Sequence, residues 1–127
     1  MITVRTPKHE LFNYAECEEL YNSCKDDLQG DDFEEVIKNT LFYSFYIWQT
    51  GELIGCIYYY KKNGKMYVNA FAKRGHHLLN LECLKESLTW FKCNIYAEAL
   101  HKTSRLCVLK CGFKRKKGNL FIYRRKK

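Results

Sequence analysis

The stretch from residue 41 to residue 72 constrains the fold most. LFYSFYIWQ and ELIGCIYYY are aromatic and β-branched runs parted by Thr50-Gly51, and KMYVNAFA follows after Asn63-Gly64. Such side chains suit a pleated, half-buried surface. Asn-Gly accepts the positive φ values of a two-residue hairpin turn. The three runs therefore predict an antiparallel meander, with strands near 42–49, 52–60 and 65–72.

Helical spacing flanks the meander on both sides. Tyr14, Cys17, Tyr21, Cys24 and Leu28 predict an amphipathic helix over about 13–28 that Gly30 ends. Asp31 or Asp32 caps a second, shorter helix carrying Phe33, Val36, Ile37 and Leu41. Beyond Arg74-Gly75, an apolar stripe of Leu78, Leu81, Leu84, Leu88 and Phe91 predicts a helix near 78–92. A short strand at 94–97, a helix over about 102–111 stopped by Gly112, and a hairpin around Gly118-Asn119 complete the chain. With a first strand at Ile2–Arg5 the order is β-α-α-β-β-β-α-β-α-β-β. The fold class is α+β, a mixed central sheet flanked by helices, and residues 1–127 read as a single domain.

Composition narrows the function classes. No run approaches the ~20 apolar residues of a membrane span, and MITVRTPKHE lacks the apolar region of a secretory signal, so a cytoplasmic protein is expected. The seven cysteines form no C-x-x-C pair and read as reduced thiols used as small core residues. Cys107 and Cys111, with His101 nearby, fall short of the four ligands of a structural zinc site, so no metal is expected. The net charge of +8 is uneven: residues 10–35 are acidic, whereas 110–127 contains KCGFKRKK and YRRKK. Two readings of that basic end stand. Lys116, Lys117, Arg124 and Arg125 can meet nucleic acid or a phosphorylated cofactor, or the lysines keep an edge hairpin from aggregating.

Two segments carry a resemblance to a known family. KMYVNAFAKRGHHLLNLECLKESL resembles the acyl-CoA segment of the GNAT superfamily of N-acetyltransferases, and HKTSRLCVLKCGFKRK resembles its later helix with the Gly-Phe ending, here Gly112-Phe113. A weaker likeness joins the C-terminal half to GNAT-like internal virion proteins of short-tailed phages. The resemblance implies that the strand ending near 72 and the strand near 94–97 splay apart. Acetyl-CoA would then enter between them, its pantetheine along the backbone of 67–72 and its pyrophosphate at a helix N-terminus.

Set against the family spacing Gln/Arg-x-x-Gly-x-Gly/Ala, the chain reads Arg74-Gly75-His76-His77-Leu78-Leu79. Arg74 matches, while His77 and Leu79 stand where small residues let a backbone approach phosphate. The implied cofactor contacts are Phe71, Ala72, Arg74, Gly75, His76 and His77. The bulky residues predict a gap partly closed by side chains such as His77, Leu79 or Tyr96. The family's proton-donating Tyr falls on Val108 and its Asn on His101. His101, oriented by Ser104, is the candidate acid or base, and Glu98 is a second candidate base.

The leading functional reading is an acyl-CoA-dependent N-acyltransferase acting on an amine of a small molecule or protein. The alternative is a non-catalytic GNAT-like binding or structural protein, such as a phage virion or host-takeover component, which would place it in the virion or the host cytoplasm. Nucleic-acid binding through the basic hairpin is the third, with no RNP, helix-turn-helix or zinc-finger signature beside it.

Overall fold

In the computed structural model, which describes residues 2–24 and 32–125, eleven elements follow the predicted order. They are β1 (Ile2–Arg5), α1 (Tyr14–Ser23), α2 (Phe33–Asn39), β2 (Leu41–Ile47), β3 (Leu53–Lys62), β4 (Lys65–Ala72), α3 (His77–Leu88), β5 (Ile95–Glu98), α4 (Lys102–Lys110), β6 (Lys114–Lys117) and β7 (Leu120–Tyr123). One mixed sheet runs β1-β2-β3-β4-β5-β7-β6. Every neighbouring pair is antiparallel except β4 and β5.

Local turn chemistry builds the meander. Asn63 and Gly64 take φ values of 54° and 77°, so the hairpin between β3 and β4 matches the twist of its strands. Between β2 and β3 the register shifts: Phe45 faces Gly55 and Tyr46 faces Leu53, which leaves Ile54 as the extra residue of a bulge. Gly55 serves a further purpose. A Cβ there would lie 3.0 Å from the Phe71 carbonyl oxygen and 3.1 Å from the Ala72 Cβ, and would collide with Asn80 Oδ1. The missing side chain lets the start of α3 lie against the sheet.

Both faces of the sheet are packed. On one, Leu81, Leu84 and Leu88 of α3 and Val108 of α4 meet Phe45, Tyr59 and Ile95. On the other, Cys17 and Tyr21 of α1 and Phe33 and Val36 of α2 meet Phe42, Tyr58 and Phe71. Asn13 caps α1 by accepting the Glu16 N–H at 3.0 Å. All seven cysteines are free thiols, with Cys17, Cys56, Cys83 and Cys111 buried. Among the described residues no three His, Cys, Asp or Glu side chains group as a metal site would require.

Several local features differ from the sequence reading, and β2 ends at Ile47 and β3 at Lys62 where ends near 49 and 60 were expected. α1 stops at Ser23 with Cys24 as its cap, short of residue 28; the Leu28, Gly30 and Asp31 expectations lie outside the described residues. Asp32 is the residue before α2, and its side chain makes no cap hydrogen bond. Leu41 leaves the helix stripe because pairing with Tyr59 draws it into β2. Leu78 is 73% exposed and Phe91 lies beyond α3, where its ring packs 4.2 Å from that of Tyr59, centroid to centroid.

The buried Tyr59 hydroxyl gives a test of the packing. Ser87 Oγ donates to the Leu84 carbonyl at 2.8 Å, so Tyr59, at 2.6 Å from Ser87 Oγ, is the donor of that second bond. Burial also pushes the Tyr59 phenol pKa up. Ser87→Ala strands a buried donor and should cost about 1–3 kcal/mol, whereas Tyr59→Phe removes the donor itself and should cost ~1 kcal/mol. In urea unfolding, the double variant should be no less stable than Ser87→Ala.

Candidate functional site

The parallel strands β4 and β5 pair at only two positions, Met66 with Ile95 and Tyr67 with Tyr96. Beyond these they diverge. β5 keeps its other edge on β7, through Ala97–Phe121 and Glu98–Leu120, and β4 stays with β3 as far as Ala72. Strands held from opposite sides leave a wedge whose facing edges have no strand partner. One amide there is satisfied locally: Ala70 N–H donates to Asn69 Oδ1 at 2.9 Å. Small residues, Ala70 and Ala72 on one edge and Ala97 and Ala99 on the other, line a cleft of about 700 Å3.

Two helices begin at this cleft. Gly75, at φ 95°, turns the chain from β4 into α3 in a conformation that a Cβ disfavours. The first α3 hydrogen bond runs from Asn80 N–H to the His76 carbonyl at 2.9 Å. The amides of His77, Leu78 and Leu79 precede it, at the positive end of the helix dipole. Neither α3 nor α4 has an acidic residue in its first turn. Arg105 fixes the start of α4: its Nε donates to the Ala99 carbonyl at 3.2 Å, and its Nη2 to Leu100 O at 3.1 Å and Asn119 Oδ1 at 2.9 Å.

Phe71, Ala72, Arg74, Gly75 and His77 border the cleft, and so do Glu98, His101 and Ser104. His76 does not. Its Nε2 meets Glu52 Oε2 at 2.6 Å, which turns the ring towards the hairpin between β2 and β3. Successive residues at a helix start point about 100° apart, so His76 and His77 diverge. Of the side chains expected to close the gap, only His77 reaches the cleft, and about 700 Å3 remains open beside it. Leu79 packs against the core under α3, and Tyr96 lies on the other side, its ring 5.6 Å from that of Tyr67. Glu98 is held by Lys62, with Oε1 and Nζ 3.2 Å apart. His101 is the exposed residue at the N-cap of α4 and Ser104 follows on the same helix. Val108, where the resemblance would set a Tyr, is buried.

Lys73, Asn80, Thr103 and Cys107 also border the cleft, and the sequence reading assigned them no role there. The spacing 101, 104, 107 and 108 along α4 was the available signal, since it marks one helix face. Cys107 is the distinctive member. The neighbouring Cys111 thiol and, to a smaller degree, the charge of Lys110 outweigh burial and lower its thiol pKa. Cys111, at 4.0 Å from the Leu81 carbonyl as well, is pushed up by the same contact with Cys107 and by burial. Alkylation by iodoacetamide, mapped by mass spectrometry, should therefore modify Cys107 with a pH midpoint below that of an ordinary thiol. Cys111→Ala should return that midpoint towards an ordinary thiol value near 8.5.

The sequence matches no protein-family model and no curated protein. Similarity appears at the level of structure. An acetyltransferase from Agrobacterium tumefaciens superposes with a TM-score of 0.74 at 13% identity, over 99% of this chain and 91% of that one. An N-acetyltransferase from Staphylococcus aureus gives 0.70 at 14% identity, over 98% and 97%. A GNAT-family acetyltransferase from Bacillus anthracis gives 0.71 at 14%, over 97% and 94%. The forked sheet, the helix starting at its mouth and the agreement over whole chains give one conclusion: this chain has the GNAT acetyltransferase fold, in a divergent sequence.

Proposed function

We propose that the cleft binds acetyl-CoA and that the protein transfers the acetyl group to an amine. The observation that carries this reading is the open wedge between β4 and β5, closed at one end by the amides of a helix N-terminus. The residues present fit the group. The edge of β4 from Val68 to Ala72 offers backbone donors and acceptors to an amide-bearing chain, and alanines leave it room. The first-turn amides of α3, with Arg74 in the loop before them, suit a pyrophosphate.

Bound there, acetyl-CoA would supply an acetyl group activated as a thioester. The chain's part is to orient the acceptor amine, remove its proton and return one to the departing sulfur. Val108 has no proton to give, so His101 is assigned the proton transfers, with Ser104 orienting its ring. Glu98, ion-paired with Lys62, is assigned to holding the ammonium form of the acceptor. The same Val108 favours a second reading, in which the protein keeps the fold for binding and has lost transfer.

Calorimetric titration with acetyl-CoA separates the two readings. The enzyme reading requires saturable binding that Arg74→Ala weakens by about 1.5–3 kcal/mol, the range for hydrogen bonds to charged groups. His77→Gly should bind as tightly or more tightly, while helix-start stability falls by up to ~1 kcal/mol. No heat of binding from folded protein would leave the non-catalytic reading.

A further inference from the structure

Of the side chains bordering the cleft, Cys107 is a nucleophile with no part in the steps assigned so far. Ser104 and Val108 of the same helix line the cleft with it, as do the small residues Ala97 and Ala99. Cys107 is half-buried, whereas His101, at the N-cap of α4, is exposed. The two lie about 9 Å apart along the axis, at 1.5 Å per residue. A helical side chain leans towards the N-terminus of its helix, so Cys107 leans towards Ser104, one turn back, and the His101 end of the cleft.

Among the described residues two other thiols border the cleft, Cys24 and Cys56. Cys56 is buried, and that burial pushes its thiol well up, so it stays protonated. Cys24 ends α1, with Sγ 3.7 Å from Ser23 Oγ and 4.0 Å from the Ala72 carbonyl oxygen. Cys107 differs in its neighbour. Cys111, the buried C-cap of α4, stands one turn further on. Contact between the two lowers the pKa of Cys107 and raises that of Cys111. Cys107 is thus the cleft thiol disposed to the nucleophilic thiolate form, with a protonated thiol beside it.

We propose, on the reading that acetyl-CoA binds in the cleft, that Cys107 takes the acetyl group as a thioester and that the amine receives it from there. In the first step the Cys107 thiolate attacks the acetyl carbonyl carbon. A carbon–sulfur bond to Cys107 forms, the bond to the coenzyme A sulfur breaks, and coenzyme A leaves as its thiolate. In the second step the neutral amine attacks the same carbon. A carbon–nitrogen bond forms, Cys107 leaves as thiolate, and the proton of the amine passes to His101. One thioester replaces another, so no oxidant, reductant or further reactant takes part. A thiol of lowered pKa is also the faster leaving group, which suits Cys107 to the second step.

The test omits the amine. Protein, acetyl-CoA and isotopically labelled coenzyme A are incubated together, and the label entering acetyl-CoA is followed by mass spectrometry. An acetyl-protein returns its acetyl group to the labelled coenzyme A, whereas direct transfer to an amine has no such route. The expected result is exchange, with one acetyl group on the Cys107 peptide after acid quench that neutral hydroxylamine removes. Cys107→Ser, close in size, should abolish both signals. Cys93→Ser, at an exposed thiol, should leave both unchanged. The peptide is mapped on the unaltered protein, so a poorly folding variant does not remove the test. Saturable acetyl-CoA binding without exchange, exchange that persists in Cys107→Ser, or equal acetylation of Cys93 would overturn the inference and leave the proposed function standing. Absence of acetyl-CoA binding removes both.

Discussion

The cleft depends on how little of β4 and β5 is paired. Parallel neighbours normally share a ladder along their length, and each buried backbone group left without a partner costs about 1–3 kcal/mol. Here the ladder ends after Tyr67 and Tyr96, so something else must hold the strands and hydrate their edges. β3 and β7 hold them from outside. Asn69 satisfies the Ala70 amide, and a cleft of about 700 Å3 has room for water at the rest. A fork of this kind is stable only if it stays open to solvent or to a ligand that presents matching amides. Stability and ligand access are therefore the same requirement.

The helix at the mouth of the fork owes its position to two missing side chains. Without a Cβ at Gly55, Asn80 can approach the β3 bulge. Without one at Gly75, the chain can turn at positive φ into α3. The large residues at 77 and 79 follow this turn and sit in the helix itself. A helical Cβ points towards the N-terminus, which brings His77 to the cleft, while Leu79 is taken up by the core. The loop thus presents a side chain that can donate to an anion, together with the glycine that the turn geometry demands.

What the sequence revealed follows from the range of each interaction. Asn63-Gly64 and the alternating aromatic runs act over a few residues, and the meander was legible from them. The stripe of α3 was legible too, but whether the sheet lies beneath Leu78 is a tertiary matter, and there it does not. Leu41 was misread because its pairing with Tyr59 is set by the opposite end of a hairpin. Phe71, Arg74 and His77 could be placed at the site through the resemblance; His76 could not, because its partner Glu52 lies 24 residues away. That Leu79 and Tyr96 would stay out of the gap could not be read for the same reason, since the wedge is fixed by strands distant in sequence.

Position 108 shows why fold and chemistry separate in this chain. The Val108 carbonyl accepts the amides of Cys111 and Phe113 at 3.1 and 3.0 Å, which ends α4, and its side chain fills the core between helix and sheet. Any apolar residue of similar size meets those demands. Proton transfer demands a titratable group, which valine lacks. The features proposed to bind the cofactor are carried largely by backbone: an unpaired strand edge, first-turn amides and a glycine turn. Substitution can remove a catalytic side chain without disturbing any of them. Likeness of fold therefore bears more directly on the proposed capacity to hold an acyl carrier than on the proposed transfer, for which His101 is the assigned group.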